Sequence, residues 1–178
     1  FFVDRPELLN AWLEKLNPDI KSSADLLSAL KSRHDYFHAK GCRLTDHGMR
    51  YALANPCHEG DADRILSAAR EGIAASPEDT DAFGAMIMYY VGQWNAEADW
   101  TMQLHLGPRR NPNTRLFNQL GPDSGFDTIG DWPQGEPVLS FLDSLSELNK
   151  LPKTILYNLN PRDNAVLACA CGSFQESP

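Results

Sequence analysis

Residues 100–107 read WTMQLHLG, an extended run in which polar and apolar side chains alternate. This alternation predicts a β-strand that ends close to His105. A second run rich in strand-forming residues, KTILYNL at 153–159, follows the next helical pattern and ends at Asn160. Strands separated by helical segments indicate parallel β/α units.

Helical patterns surround these strands, with apolar residues repeating at the 3.6-residue period. Ser22 or Ser23 can cap one helix, and Pro77 stands in the first turn of another with acidic neighbours. The latter helix carries a stripe of aromatic and methionine residues, which is typical of a packing face and not of a cofactor site. The predicted helices cover residues 4–17, the segment from Ser22 or Ser23 to Gly41, pieces of 49–75, the segment from Ser76 to about Ala98, residues 137–149 and a segment after Asp163.

A shorter apolar run precedes both strands. CRLT at 42–45 predicts a short buried strand that gives way to a polar loop at Asp46, His47 and Gly48. Three β/α units make an arc of sheet and not a closed barrel. The length of 178 residues agrees with this reading, since a complete eightfold barrel usually needs about 250 residues.

Composition removes several classes of function. The formal net charge is -8, and the basic residues form no cluster, so we predict no nucleic-acid partner. One or two arginines can still bind a small anion. No run approaches the roughly 20 apolar residues of a membrane span, so no membrane partner is predicted. The four cysteines have no CxxC spacing, which favours a reduced, cytoplasmic protein.

Polar residues follow the apolar core of each predicted strand. Asp46 and His47 follow the first strand, His105 and Arg110 follow the second, and Asn160 follows the third. In a β/α barrel the carboxyl ends of the strands assemble the active site, so these residues are candidates for one shared site. A single histidine at such a position is more often a hydrogen-bonded structural residue, and the coincidence of three strands carries the prediction.

Each candidate has a chemical role that suits its side chain. His105 and His47 titrate near neutral pH and can act as general acid or base, and Asp46 can orient His47 or act itself. Arg110, with its neighbour Arg109, offers the forked donors that bind a carboxylate. The alternative for the arginine pair is solvation at the surface.

Metal-binding motifs are missing from the sequence. No HxH, HExxH or CxxC occurs anywhere. His34 and His38 are four residues apart and can share a helix face, but such a pair more often lies in solvent. We therefore assign no metal ligand on spacing alone.

Five motifs together resemble the uronate isomerase family, in the family's order and with compatible gaps. The motifs are GCRLTDHG at 41–48, QLHLGPRRNPN at 103–113, LGPDSGFD at 120–127, LPKTILYNLNPRDN at 151–164 and GSFQ at 172–175. The resemblance covers nearly the whole chain. It implies aldose–ketose isomerisation of hexuronates, from D-glucuronate to D-fructuronate or from D-galacturonate to D-tagaturonate, with a small-molecule sugar acid as the partner.

The resemblance also implies a fold and a set of site residues. It implies an α/β fold that is part of a TIM-type (β/α)8 barrel of the amidohydrolase type, with residues 1–178 forming a single partial barrel domain of about three β/α units and extra helices. It places Asp46, His47 and His105 at catalytic positions and Arg110 at the position of the family's arginine. Asn113 and Asn160 are the candidates for binding sugar hydroxyls. One departure is Pro112, where the family usually has asparagine.

A larger departure concerns the metal. The family binds a divalent cation such as zinc chiefly through a His-x-His and an Asp-Ser-Arg, and neither motif is present in this chain. The expectation is therefore an internal piece of a longer enzyme that binds no metal by itself. Two alternatives stay open: a non-catalytic α/β fragment that forms a homo-oligomer, and a related metal-dependent hydrolase of the same superfamily.

Overall fold

The computed structural model describes residues 2–175 and has an α/β architecture. Three parallel strands form one sheet in the order β1 (Leu44–Met49), β2 (Thr101–Leu106) and β5 (Thr154–Asn158). A short antiparallel hairpin of β3 (Pro108–Arg109) and β4 (Thr128–Ile129) follows the central strand. The helices are α1 (Pro6–Leu16), α2 (Ser23–Ala39), α3 (Glu59–Arg70), α4 (Pro77–Glu97), α5 (Thr114–Leu120), α6 (Gly135–Ser146) and α7 (Asn164–Ser173), with a 3-10 turn at Pro161–Asp163.

Side-chain caps fix the starts of the two longest helices. Ser22 accepts a hydrogen bond from the backbone of Asp25, whose side chain accepts one from the backbone of Ser22 in return, so a capping box begins α2. Ser76 accepts a hydrogen bond from the backbone of Asp79 at the start of α4. Both predicted helix starts are confirmed. No helix among residues 2–175 is long and apolar enough to cross a membrane.

The first strand differs from its prediction. It begins at Leu44 and continues through Asp46 and His47 to Met49, so the predicted loop at Asp46 is wrong. Aspartate and glycine are poor strand formers, but β1 pairs along its whole length with β2, from Leu44 opposite Thr101 onward. Tertiary pairing has overridden the local preference.

Alternation along the central strand separates two faces of the sheet. Met102, Leu104 and Leu106 have no exposed surface and face the helices. The intervening residues, including Gln103 and His105, face the other way and are only partly buried. This second face, called here the site face, carries the candidate residues.

The core has two parts, and α4 contributes residues to both. One cluster joins α1, α2 and α3 to Phe83 and Ile87 on one side of α4. The other joins the helix-covered face of the sheet to α6, α7 and Met88. The predicted packing role of the aromatic and methionine stripe is confirmed for Phe83, Met86 and Ile87, which are buried, whereas Tyr90 is exposed. The helices therefore hold the three strands as one arc of parallel sheet.

Candidate functional site

Asp46 and His105 meet on the site face across neighbouring strands. Asp46 lies opposite Gln103 in the β1–β2 register, and Gly48 lies opposite His105. Side chains two residues apart on a strand point to the same face, so the side chain of Asp46 reaches along β1 toward His105. Nδ1 of His105 lies 2.9 Å from Oδ1 of Asp46. A carboxylate at this distance favours a proton on Nδ1 and leaves Nε2 as the nitrogen that can accept one.

An aromatic residue of the third strand completes this row. The ring of Tyr157 lies 4.3 Å from that of His105, centroid to centroid, and Tyr157 is opposite His105 in the β2–β5 register. The Tyr157 hydroxyl donates to Oε1 of Gln103 at 2.8 Å. Tyr157 was not among the site residues predicted from the sequence. Its signal was the period-two alternation of β5, which places Ile155 and Tyr157 on one face.

Arg110 enters the site from the hairpin. A cavity of about 440 Å³ opens beyond the strand ends and is lined by His105 and Tyr157 from the sheet and by Arg110 and Asp127 from the hairpin. Arg110 forms a salt bridge with Asp127 through Nη1. The site therefore combines one titratable histidine with one permanent positive charge.

His47 does not join this cluster. It is adjacent to Asp46 on β1, so its side chain points to the opposite, helix-covered face, in the row of Leu104 and Leu156. Burial lowers the pKa of His47 to about 4, with an opposing contribution from the charge of Asp46. Its Nε2 is buried and has no hydrogen-bond partner among residues 2–175. This environment favours the neutral imidazole.

The two candidate asparagines serve local structure. Oδ1 of Asn113 accepts from the backbone of Leu116 and caps α5. Oδ1 of Asn160 accepts from the backbone of Arg162 and caps the 3-10 turn. Neither asparagine lines the cavity of His105 and Arg110.

His34 and His38 act within a helix-packing region. His34 is only 8% exposed, stacks on Trp100 with ring centroids 4.0 Å apart, and contacts Oδ1 of Asn95 through Nε2 at 3.2 Å. Nδ1 of His38 accepts from the indole N–H of Trp100 at 2.9 Å. The expectation that both lie in solvent is wrong for His34, because Trp100 packs against this face of α2.

The described residues were also compared with the requirements of a metal site. Within residues 2–175, no three His, Cys, Asp or Glu side chains lie close enough together to hold a metal ion. Asp46 and His105 can supply at most two ligands, fewer than the three protein ligands of ordinary catalytic zinc sites.

The three parallel strands, with an Asp–His pair and an arginine near their carboxyl ends, form part of a TIM-type β/α barrel. The family model for glucuronate isomerase matches residues 4–178. The chain belongs to that family, and it contributes three β/α units of the barrel.

Individual relatives match the same range. The uronate isomerases of Opitutus terrae and Solibacter usitatus are 51% and 48% identical over 178 residues, covering 98% of this chain and 38% of each relative. The crystal structure of a uronate isomerase from Thermotoga maritima aligns with a TM-score of 0.83 at 27% identity, covering 97% of this chain and 38% of that one. The crystal structure of a glucuronate isomerase from Caulobacter crescentus, at 23% identity and a TM-score of 0.72, covers 91% of this chain and 34% of that one and shares the fold. The chain thus spans 38% of the length of these curated relatives.

Proposed function

We propose that the full-length protein containing this chain isomerises hexuronates between their aldose and ketose forms, and that this chain supplies part of the substrate pocket. The main observation behind the proposal is the Asp46–His105 pair, because His105 lines the same cavity as Arg110. Family membership and the sugar acids in the names of the relatives support it.

His105 is the proposed proton-transfer group. Conversion of an aldose to a ketose moves a proton between neighbouring carbons, so the site needs a group that accepts and returns it near neutral pH. Asp46 keeps a proton on Nδ1 of His105, which leaves Nε2 to take the proton from C2 and return it to C1. In the enediol formed between these two transfers, O1 has gained the proton that O2 loses, so C1 ends as a hydroxymethyl carbon and C2 as the ketone. The negative charge of Asp46 also stabilises the imidazolium that forms between the two transfers.

Arg110 is the proposed carboxylate ligand. The guanidinium group of arginine presents parallel N–H donors that match the two oxygens of a carboxylate. Asn113 and Asn160 stay in the proposal as ligands of sugar hydroxyls. They would donate from Nδ2, because the Oδ1 atom of each already accepts a backbone hydrogen bond. His47, on the other face, is proposed to act through the stability of β1.

Several further points belong to this proposal for the full-length protein. The divalent metal that the resemblance implies, such as zinc, would take its ligands mainly from outside this chain. The barrel would be of the amidohydrolase type, and the protein cytoplasmic, with no nucleic-acid or membrane partner. The exposed apolar residues Leu44 and Ile155 on the site face provide a surface through which the isolated chain would self-associate.

Turnover of D-glucuronate and D-galacturonate by the full-length protein tests the main proposal. We expect His105→Asn to lower kcat by about 10²–10⁴-fold, as for loss of a general acid or base. Arg110→Lys should raise KM, whereas Arg109→Lys, on the adjacent exposed arginine, should leave KM unchanged. Inactivity of the full-length protein on both hexuronates, or equal effects of the two arginine variants, would overturn the assignment. Hydrolysis of an ester or amide substrate would instead support the related hydrolase.

A further inference from the structure

A charged pair closes the loop between β3 and β4. The last paired residues of this hairpin are Arg109 and Thr128. The next facing positions are Arg110 and Asp127, whose guanidinium and carboxylate form a salt bridge. The intervening chain, including α5, therefore begins and ends at this ion pair.

Asp127 uses both carboxylate oxygens at this point. Oδ1 accepts from the backbone N–H of Asn111 at 2.9 Å, and Oδ2 accepts from Nη1 of Arg110. Asn111 adopts a φ of 48°, in the left-handed region, so the backbone turns immediately after Arg110. The backbone donor of Asn111 and then Arg110 hold the pKa of Asp127 below its usual value of 3.8. An ionised carboxylate thus binds both the guanidinium and the turn that follows it.

The other end of the guanidinium lies beside the site. Nη2 of Arg110 is 3.8 Å from the position that a β-carbon at Gly48 would occupy. Gly48 is opposite His105 in the sheet register and on the same face as Asp46. The guanidinium therefore extends from Asp127 on the hairpin to the row of the sheet that carries His105.

We propose that Asp127 is a positioning residue for carboxylate recognition, binding Nη1 of Arg110 so that Nη2 is presented to the cavity beside His105. The inference rests on the proposed function, because it requires Arg110 to bind the uronate carboxylate. The Arg110 side chain is 60% exposed, so packing alone constrains it weakly. Ordering it before the substrate arrives lowers the entropy lost on binding.

A rival arrangement makes Asp127 a competitor of the substrate carboxylate for Arg110. Two features argue against it. Asp127 also accepts a hydrogen bond from the backbone of Asn111 through Oδ1, so its position does not depend on Arg110 alone. The contact with Asp127 also uses Nη1, while Nη2 is directed toward β1. The two arrangements predict opposite changes in substrate affinity.

The test is Asp127→Asn in the full-length protein, since asparagine has the same shape and keeps an oxygen for the Asn111 N–H. We expect KM for D-glucuronate to rise about tenfold while kcat stays within about threefold, because a charge-assisted bond that orders a substrate-binding group is lost. Asp131→Asn is the matched control. Asp131 also pairs with an arginine, Arg162, but it does not line the cavity, so KM should not change.

A double-mutant cycle separates positioning from a general structural role. If Asp127 acts through Arg110, then Asp127→Asn should change KM less than twofold when Arg110 is already alanine. An undiminished effect in that background would overturn the inference. A fall in KM would also overturn it, in favour of the competitor.

Failure of the proposed function gives a different result. The wild-type protein could turn over neither hexuronate and still bind D-glucuronate in calorimetry. In that case the double-mutant cycle is measured with the dissociation constant for D-glucuronate in place of KM, and Asp127→Asn should again have little effect when Arg110 is already alanine. If D-glucuronate does not bind at all, both the proposed function and this inference fail. Loss of kcat in Asp127→Asn with an unchanged KM would overturn only the inference.

Discussion

Replacing His47 with glutamine is expected to reduce the acid sensitivity of the folded protein. The side chain of His47 lies among Leu104 and Leu156 on the helix-covered face, and burial lowers its pKa from the usual 6.5 to about 4. The unfolded chain therefore binds a proton at His47 at higher pH than the folded chain does. The contribution of neutral His47 to the free energy of unfolding is therefore fully present above pH 6.5 and is lost as the pH falls from 6.5 to 4.

The size of the effect follows from the two pKa values. Their difference corresponds to a maximum loss of about 3 kcal/mol, at about 1.4 kcal/mol per pKa unit. At pH 5 the unfolded imidazole is largely protonated and the folded one largely neutral, so the loss from His47 alone is about 2 kcal/mol relative to pH 7.5. This is a sizeable part of the stability of an ordinary domain.

Urea unfolding of the full-length protein at pH 7.5 and 5.0 measures this difference. The relevant quantity is the change in unfolding free energy between the two pH values, because the substitution also changes the baseline stability. That change should be about 2 kcal/mol smaller in His47→Gln than in wild type. His58→Gln is the control, since His58 is exposed, and its change should match wild type. The reasoning would be refuted if the change in unfolding free energy between the two pH values were the same in His47→Gln and in wild type. An NMR titration of His47 with a midpoint near pH 6.5 would also refute it.

Two further predictions concern helix packing and capping in the same urea assay. Gly92→Ala should lower the unfolding free energy by about 1–3 kcal/mol, because the added β-carbon would lie 2.5 Å from Cδ1 of Leu145 where α4 meets α6, and Leu145 is fully buried and has little room to move. Gly60→Ala, where the added β-carbon has no atom within 4 Å, should be neutral or stabilising. Equal losses in the two variants would contradict the packing argument. Ser76→Ala should cost about 1 kcal/mol through loss of the hydrogen bond from the Asp79 backbone, whereas Ser76→Asp should retain most of the stability, and equal losses in both variants would count against the cap.

Local signals explain which parts of the fold could be predicted from the sequence. The starts of α2 and α4 were predicted because Ser22 and Ser76 cap helices through bonds that span only three residues. The hairpin of β3 and β4 was not predicted. Each of its strands has two residues, and their pairing joins Arg109 to Thr128 across an intervening helix. No short sequence window contains that information.

The candidate site also combines residues that the sequence could predict with contacts that depend on distant strand pairing. Arg110 was a candidate because it follows the second predicted strand, has forked donors and lies in a motif that resembles a known family. Its partner Asp127 lies in another of those motifs, LGPDSGFD at 120–127, and was assigned no role. The contact between them depends on the hairpin register, which brings residues 17 positions apart into hydrogen-bond contact. Charged pairs of this kind become visible only when the ladder that aligns them is known.

Strand register also determines which of Asp46 and His47 faces His105. From the sequence, both were predicted to lie in one polar loop after a strand. A loop can aim two neighbouring side chains at the same site, whereas a strand sends them to opposite faces. Since β1 continues through both residues, only one can meet His105, and the 2.9 Å contact identifies Asp46 as that residue. A shift of one residue would exchange their roles. Substitutions of Asp46 should therefore act on turnover, and those of His47 on stability and its dependence on pH.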